Sequence, residues 1–368
     1  MQIDKLRLIN FRTYADQTVA FSGGINIITG KNAQGKTNLL EAVHYLTGGV
    51  SFRATTDREL IAFGKDDAEL TAEITGSGRK QSIQIRFGTG RKKITEVNGV
   101  RLKSVSELAG RLTAVLFCPE DLAIIQSSPV YRRKLLDSCL CQMRPRYAAL
   151  LSEYRRLYEG KSRILKDRDE SMKTVLREYN EGMCRTGAEL IRYRAGISSL
   201  LAQIAAETHS SFSGGGETLS VSYRTVGTVT DPRADKDVIM GQLADHMASH
   251  QDAEWAAGRC LSGVHKDDLM ISINGQEARK FASQGQARTA AISLKMAERE
   301  ILQKDTGEYP VLLLDDVLSE LDPMRQDYIL NRSGTGQVLI TCCEEQAVAE
   351  KTGGCILRVA AGEVSVTE

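Results

Sequence analysis

The sequence lacks three features that would assign the protein to a class by composition alone. No stretch approaches the roughly 18 consecutive apolar residues of a membrane-spanning helix. The eight cysteines include no C-x-x-C pair and have no histidine at zinc-ligand spacing, so we expect thiols without a metal or redox role. The formal net charge is only +1, which excludes a global attraction for nucleic acid and leaves local patches.

What is present is the composition of a globular protein with more than one domain. The chain has 368 residues, of which 42% are hydrophobic and 26% charged, whereas single cores usually stop growing at roughly 250 to 300 residues. Its first residues, Met1 to Arg7, alternate charged and apolar side chains, a pattern typical of a strand and not of a secretory signal. We therefore expect a soluble, cytoplasmic protein that does not enter a membrane.

A phosphate-binding loop is the most specific motif. It consists of Gly30, Lys31, Asn32, Ala33, Gln34, Gly35, Lys36 and Thr37. A β-branched run at 25–29 precedes it, and apolar residues at helical spacing follow it, which predicts a strand, a loop and a helix. In this context the loop N–H groups and the helix N-terminus bind phosphates, Lys36 reaches the β- and γ-phosphates, and the Thr37 hydroxyl holds Mg²⁺.

Two adjacent acids, Asp315 and Asp316, follow the apolar run 311–314. The run predicts a buried parallel strand, and ligands of α/β sheets bind at the carboxyl edge of such strands. One carboxylate can bind Mg²⁺ while its neighbour polarises an attacking water. The alternative is an acid pair that ends the strand without chemistry.

Ser283, Gln284, Gly285 and Gln286 stand directly before a run of strong helix formers at 287–302. They therefore occupy the N-terminus of a long helix, where backbone N–H groups attract anions. Two uses are open: a structural cap, which the four residues alone favour, or an anion site that faces a nucleotide held by a second subunit.

The middle of the chain changes character twice. Alternating segments with Gly-rich turns at about 67–117 predict antiparallel hairpins that extend the sheet around the nucleotide. Helical periodicity follows at 128–210 with no strict heptad, which predicts a compact helical arm. We thus expect three parts: an N-terminal segment with the phosphate loop (1–124), an inserted arm (125–212) and a C-terminal segment (213–368) that re-enters the first domain; the resemblance described below implies that the two outer segments form an ATPase head.

Positive charge is concentrated in the arm. Residues 125–212 contain 16 Lys and Arg against 10 Asp and Glu. Its clustered basic residues are Arg132, Arg133, Lys134, Arg144, Arg146, Arg155, Arg156, Arg163, Lys166, Arg192 and Arg194. They form either a solvated helix face or a surface that contacts nucleic-acid phosphates.

In this order, the motifs resemble the ABC-type ATPase head of SMC and Rad50 proteins and, more closely, the RecF family of bacterial recombination proteins. The matching segments are Asn10 to Arg12, Gly30 to Glu41, Ser51 to Arg53, Pro119 to Leu122, Arg132-Arg133, Gly263 to Leu269, Ser283 to Arg288 and Leu313 to Asp322. They span nearly the whole chain. The resemblance implies an α/β fold: a mixed sheet with a P-loop core, an antiparallel β subdomain and an inserted helical arm.

The resemblance also implies an activity and partners. We expect ATP with Mg²⁺ as cofactor, an ATP-dependent homodimer, DNA binding in recombinational repair, replication and the SOS response, and cooperation with RecO and RecR in loading RecA at single-strand gaps. Asp315 would bind Mg²⁺ and Asp316 the attacking water. Ser283, Gly285 and Gln286 would close over the γ-phosphate of the opposite protomer, and Arg12 would add a phosphate contact.

The remaining motif, Ser319 to Asp322, matches the D-loop that links the two sites of such a dimer. Two departures from the ABC pattern affect the expected chemistry. Asp316 replaces the usual glutamate and is one methylene shorter, so we expect slow, weak ATP hydrolysis. Thr341, Cys342 and Cys343 stand where transporters have a histidine, and no Q-loop glutamine is assigned near 117–120. A transporter ATPase subunit and a small-molecule kinase are the alternatives.

Overall fold

The computed structural model describes residues 1–168, 170–333, 336–342 and 353–367. The chain divides into two compact units: unit 1 comprises Met1–Asp121 and Glu298–Glu368, and unit 2 comprises Leu122–Ala297. The strands are β1 Gln2–Phe11, β2 Tyr14–Ala20, β3 Ile25–Thr29, β4 Asp67–Gly76, β5 Arg79–Gly88, β6 Arg91–Val97, β7 Val100–Arg101, β8 Ala114–Phe117, β9 Leu219–Arg224, β10 Asp268–Ile273, β11 Gln276–Glu277, β12 Val311–Asp315, β13 Val338–Cys342, β14 Cys355–Ala360 and β15 Glu363–Thr367. The helices are α1 Lys36–Gly48, α2 Ala123–Gln126, α3 Pro129–Met143, α4 Pro145–Asp167, α5 Leu176–Phe212, α6 Lys236–Ala257, α7 Ala278–Phe281, α8 Gln284–Thr306 and α9 Pro323–Ser333.

A mostly parallel sheet in unit 1 has the order β15-β14-β3-β13-β12-β8. β12 runs parallel to β8 and β13, and β3 runs parallel to β13 and β14. β12 is buried along its whole length, as its apolar sequence predicts for a central parallel strand. The carboxyl ends of β3, β12 and β13 therefore share one edge of the sheet. This edge carries both the phosphate loop and the acid pair.

The β-rich segment forms a sheet of its own. Its order is β2-β1-β4-β5-β6-β7, and every pairing in it is antiparallel. The expectation that the strands of 67–117 extend the nucleotide-side sheet holds for β8, which pairs with β12, and was wrong for β4 to β7, which form a separate sheet with β1 and β2. The predicted hairpins are confirmed, since Asn98 and Gly99 adopt φ of 52° and 75°, the pair of positive values that a type I′ turn requires.

Unit 2 is built on three helices of the predicted arm. α4 and α5 pack against each other, α3 packs on both, and α6 packs on α5. A three-stranded antiparallel sheet, β11-β10-β9, belongs to the same unit. Residues 213–297 are therefore grouped with the arm, whereas the sequence places them in the C-terminal head segment. The physical reason is long-range: β9 pairs with β10 and packs along α5.

Within the described residues, no helix combines the length and apolar character needed to cross a bilayer. Cys118, Cys139, Cys184 and Cys260 are buried, as is common for free cysteine, which packs as a small hydrophobic residue. Cys343, which the sequence analysis includes among the thiols, lies outside the described residues.

Candidate functional site

The phosphate loop joins the end of β3 to the start of α1, as predicted. Gly30 has φ 154°, and a Cβ there would lie 2.3 Å from the carbonyl oxygen of Val359. Gly35 has φ 114° and is the N-cap of α1. Both positions exclude larger residues. L side chains avoid this backbone region, and nearby atoms of the same polypeptide leave no space for a Cβ. These two glycines therefore fix the backbone conformation of the loop at its two ends.

Lys36 lies inside this loop and is only 5% exposed. Its Nζ donates to the carbonyl oxygens of Gly30 at 2.6 Å and Lys31 at 3.4 Å. Gln34 faces away from that centre, since its Oε1 accepts the N–H of Ala361 at 2.6 Å. Lys31, Asn32 and Ala33 are exposed. The loop therefore places a cation where the phosphates of a nucleotide would lie.

Asp315 is placed against the phosphate loop by two hydroxyl groups. Its Oδ1 accepts hydrogen bonds from Thr37 Oγ1 at 2.9 Å and Thr341 Oγ1 at 2.8 Å. Burial raises the pKa of the Asp315 carboxyl, while those two bonds and the charge of Arg53 oppose the rise. The sequence predicts no role for Thr341, although this hydroxyl residue directly follows the apolar run 338–340. In the structure it pairs with Asp315 in the parallel register.

The donor set fits a magnesium ion bound to a nucleotide. The Thr37 hydroxyl and the Asp315 carboxylate are oxygen ligands of the kind that Mg²⁺ prefers, and they converge beside Lys36. The cost of burying the Asp315 charge would be relieved by a divalent cation at the same oxygen. Both predicted metal ligands are therefore brought together.

Asp316 is half-buried and adopts φ 51°, an uncommon value for a non-glycine residue. Its N–H donates to Thr341 Oγ1 at 2.9 Å, and its carbonyl accepts from Ser319 Oγ at 2.8 Å. The backbone of the predicted D-loop is thus fixed directly behind the acid pair.

Arg12 contacts another protein group in this structure. Its Nε and Nη2 donate to Glu41 at 2.8 and 2.9 Å, and its Nη1 donates to the Glu59 carbonyl at 2.8 Å. Glu41 is fully buried within α1 and also accepts from Ser51 Oγ at 2.5 Å. Sequence reasoning missed Glu41, although an acid on the apolar side of an amphipathic helix is a sign of a buried pair.

The same network orders the loop that follows α1. Ser51 Oγ accepts the N–H groups of Arg53 at 2.9 Å and Ala54 at 2.8 Å. Arg53 is exposed and its charge acts on Asp315. Glu41 therefore connects the helix of the phosphate loop to a loop that carries a cation near the metal ligand.

The predicted signature residues lie in unit 2. Ser283 N–H donates to Gln286 Oε1 at 2.9 Å, and Gln286 N–H donates to Ser283 Oγ at 3.2 Å. This reciprocal pair is a capping box at the start of α8. The structural cap expected from the sequence is therefore present. Ser283 and Gly285 are nevertheless exposed, which leaves this helix end accessible.

The Gly263 to Leu269 segment forms a buried polar cluster in unit 2. Asp267 accepts hydrogen bonds from Arg194 Nη1 at 2.7 Å, Tyr223 Oη at 2.5 Å and Thr225 Oγ1 at 2.6 Å. Burial opposes the charge of Arg194, but Asp137 and Asp267 raise the pKa of Arg194 well above its ordinary value. This guanidinium stays charged and joins α5 to the start of β10.

Three basic residues of the arm stabilise unit 2 through contacts with other residues of that unit. Arg132 is buried and pairs with Asp268, with Nε 2.6 Å from Oδ1. Arg133 donates to the Asp267 carbonyl at 2.7 Å, and Arg194 is buried in the cluster described above. These three are therefore withdrawn from the set of candidate nucleic-acid contacts.

One face of α4 is rich in exposed basic residues, and the exposed acid Glu159 lies within it. It carries Arg155, Arg156, Arg163 and Lys166, all of them exposed. At 3.6 residues per turn the four directions fall within about 100° of one another. None of the ion pairs found among the described residues involves these four. We refer to these four residues as the α4 cationic face.

The chain is similar to known proteins along nearly its whole length. The family model described as RecF/RecN/SMC N terminal domain matches residues 2–364. The DNA replication and repair protein RecF of Acetivibrio thermocellus is 34% identical over 366 residues, covering 98% of this chain and 99% of that protein. The RecF of Clostridium kluyveri is 38% identical over 343 residues, covering 93% of each.

Solved structures give the same result. The recombination mediator protein RecF with ATPrS, in the RecFOR pathway, superposes with a TM-score of 0.91 at 32% identity, covering 100% of this chain and 98% of that one. The corresponding RecF-ATP structure has a TM-score of 0.90 at 32% identity, covering 100% and 97%. An Smc head bound to the C-winged helix domain of ScpA has a TM-score of 0.54 at 17% identity, covering 100% and 98%, which shows a shared fold.

Proposed function

The chain belongs to the RecF/RecN/SMC N-terminal domain family, and we propose that it is an ATP-dependent DNA-binding protein of recombinational DNA repair and replication. The single observation that carries the nucleotide part is the convergence of Lys36, Thr37 and Asp315 at one sheet edge. The solved relatives with ATP or ATPrS agree with this assignment. Membership of this family also excludes the transporter subunit that was kept as an alternative.

In the proposed site the phosphate loop, Gly30 to Thr37, binds the triphosphate of ATP. Thr37 and Asp315 hold Mg²⁺, which neutralises charge on the β- and γ-phosphates when it is bound. Lys36 stabilises the charge on the transferred phosphoryl group, and Asp316 orients the attacking water. Hydrolysis is weak, because the shorter Asp316 side chain holds that water less closely than a glutamate would.

ATP also acts as the ligand that joins two copies of the chain. Ser283, Gly285 and Gln286 of one protomer close over the γ-phosphate bound by its partner, and Ser319 to Asp322 connects the two sites. The exposure of Ser283 and Gly285 supports this role. Such a ligand favours the closed dimer because it makes its full set of contacts only there. Hydrolysis then releases the dimer.

The α4 cationic face binds DNA through its phosphates. Four exposed cations with no paired carboxylate among the described residues support this assignment. The resulting affinity falls steeply with salt and depends little on base sequence, because phosphate contacts carry no sequence information. The protein acts in the cytoplasm at single-strand gaps with RecO and RecR, where it assists the loading of RecA and supports the SOS response.

Arg12 is the weakest member of the proposed site. Three of its donors already contact Glu41 and the Glu59 carbonyl, so a phosphate contact would use its remaining N–H groups or require a rearrangement. We propose that Arg12 contacts a phosphate only after ATP has bound, and that its main role is to orient α1 through Glu41.

The test is ATP-dependent dimerisation, measured by light scattering with and without duplex DNA. We expect dimers with ATP, stabilised by DNA, and we expect Asp316→Asn to retain the DNA-bound dimer because water is no longer polarised. A protein that stays monomeric at saturating ATP would contradict the proposal. Salt-titrated binding to duplex, single-stranded and gapped DNA then identifies the preferred structure.

A further inference from the structure

A buried histidine and a carboxylate stand behind the signature serine. Glu217 follows the turn that ends α5, and its Oε1 accepts Gln286 Nε2 at 2.7 Å. Its Oε2 lies 3.0 Å from Nε2 of His209, near the end of α5. The His209 side chain is fully buried and Glu217 is 24% exposed. One oxygen of the Glu217 carboxylate therefore contacts Gln286, and the other contacts His209.

Gln286 is itself the residue that orients Ser283. Its Oε1 accepts the Ser283 N–H, and its own N–H donates to the Ser283 hydroxyl. With Oε1 used in this way, the amide has Nε2 left to donate, and Nε2 faces Glu217. The amide orientation is thus fixed at both ends. An amide held at one end only would rotate freely about χ3.

The exposed position of the signature residues makes this support important. Ser283 and Gly285 project from the first turn of α8 and are exposed, whereas Gln286 is half-buried. Packing therefore restrains the serine less than it restrains the helix behind it. Side-chain hydrogen bonds to a charged acceptor are stronger than neutral ones and hold geometry more closely.

We propose that Glu217, supported by His209, is a positioning residue that holds Gln286 and through it the Ser283 hydroxyl in the orientation needed for ATP-dependent dimerisation. This inference rests on the proposed function, since it concerns the residue that completes the partner's site. It gives Gln286 a second role, the orientation of Ser283, beside the phosphate contact proposed above. It also links the signature to the end of the long arm helix, α5.

The experiment measures the dimer dissociation constant by sedimentation at saturating ATPγS. Glu217→Ala should weaken the dimer roughly tenfold, as expected for the loss of one charge-assisted hydrogen bond. Glu217→Gln keeps an oxygen acceptor for Gln286 and should stay within about threefold of the original protein. The matched control is Glu277→Ala, which removes a partly exposed carboxylate paired with Lys280 and should leave the dimer unchanged.

Two further readouts separate positioning from general stability. The affinity of the monomer for a fluorescent ATP analogue should change less than about twofold in Glu217→Ala, because the nucleotide's own protomer binds it through unit 1. The double variant Glu217→Ala with Gln286→Ala should dimerise no more weakly than Gln286→Ala alone, because Glu217 acts through Gln286.

The outcomes distinguish this inference from the proposed function. If the original protein does not dimerise with ATPγS, the proposed function fails. If it dimerises but Glu217→Ala matches Glu277→Ala, only the positioning role is overturned. Additive effects in the double variant, or a parallel loss of thermal stability and monomer nucleotide affinity, would likewise overturn it.

Discussion

The ion pair between Arg12 and Glu41 provides the strongest test of how the phosphate-loop helix is held. Glu41 is fully buried in α1, and Arg12 is 23% exposed at its side chain. Arg12→Ala would leave the buried carboxylate with the Ser51 hydroxyl as its remaining side-chain donor. Removing one partner of a buried pair costs about 3 to 5 kcal/mol. We expect a value of about 3 kcal/mol, since water can reach the vacated side.

A matched control lies on the preceding strand. Arg7 also forms two hydrogen bonds to one carboxylate, that of Asp16, at 3.0 and 2.8 Å. Both side chains of that pair are about half exposed, and exposed pairs contribute about 0.2 to 1 kcal/mol. Arg7→Ala therefore removes the same kind of side chain and the same number of bonds without leaving a buried charge.

The assay combines calorimetry with peptide-resolved hydrogen exchange in the absence of nucleotide. Arg12→Ala should lower the midpoint of the unit 1 transition by roughly 6 to 12 °C and lower amide protection in α1 and residues 51–54 by about 100-fold. Alanine keeps a Cβ, so the strain at φ 52° is unchanged. Equal losses for Arg7→Ala and Arg12→Ala would refute the reasoning. Weaker ATP binding at unchanged stability would instead support a phosphate contact.

Three more predictions address the loop, the arm and unit 2. Gly30→Ala should abolish binding of a fluorescent ATP analogue, since its Cβ would lie 2.3 Å from a backbone oxygen; binding at the original affinity would contradict the loop geometry. Replacing Arg155 and Arg163 by Gln should reduce the slope of log affinity against log salt by about 2 on duplex DNA, and an unchanged slope would remove the α4 cationic face from the DNA site. Burial, with the charges of Lys266, Arg133 and Lys161, lowers the pKa of His265 to about 4. A histidine in the unfolded state has a pKa of about 6.5 and therefore binds a proton more readily than folded His265 does. As the pH falls from about 6.5 to about 4, the unfolding free energy of unit 2 should therefore decrease by up to about 1.4 kcal/mol per pH unit. His265→Gln should flatten that dependence in urea unfolding, and a slope equal to that of the original protein would refute it.

The elements around the phosphate loop were predictable from the sequence because local rules determine them. Each local signal predicts one element. The β-branched run predicts the strand, the two glycines at positive φ predict the loop, and the residues after Lys36 predict the helix. The Asn98-Gly99 hairpin is of the same kind. The position of Asp315 at this sheet edge was also predictable, because an apolar strand that ends in an acid places that acid at the carboxyl edge.

The errors concern contacts between distant segments. Charge clustering could not show that Arg132 and Arg194 are buried, because their partners lie more than 50 residues away. The sequence could not show that residues 213–297 group with the arm, because the β9–β10 pairing and its packing along α5 have no local signal; the head and arm bounds stay a prediction. Glu41 and Glu217 were missed for the same reason. Each is an ordinary acid in the sequence, and the side chains around it give it its role.

The arrangement of unit 2 raises the question of how DNA binding and ATP-dependent dimerisation are coupled. The α4 cationic face and the signature helix start belong to this one unit, and α4 packs along α5, whose C-terminal end contacts Glu217. If the ATP dimer binds DNA more tightly than the monomer does, linkage requires DNA to strengthen ATP-dependent dimerisation by the same total factor. Breaking the Glu217 contact weakens the dimer on and off DNA alike if Glu217 only orients Ser283. If α5 instead couples DNA binding to the signature residues, breaking the Glu217 contact also reduces the factor by which DNA strengthens dimerisation. Only in that case does the orientation of Ser283 depend on DNA. Measuring dimerisation of Glu217→Ala with and without duplex therefore decides whether the arm helix transmits a signal or simply supports the serine.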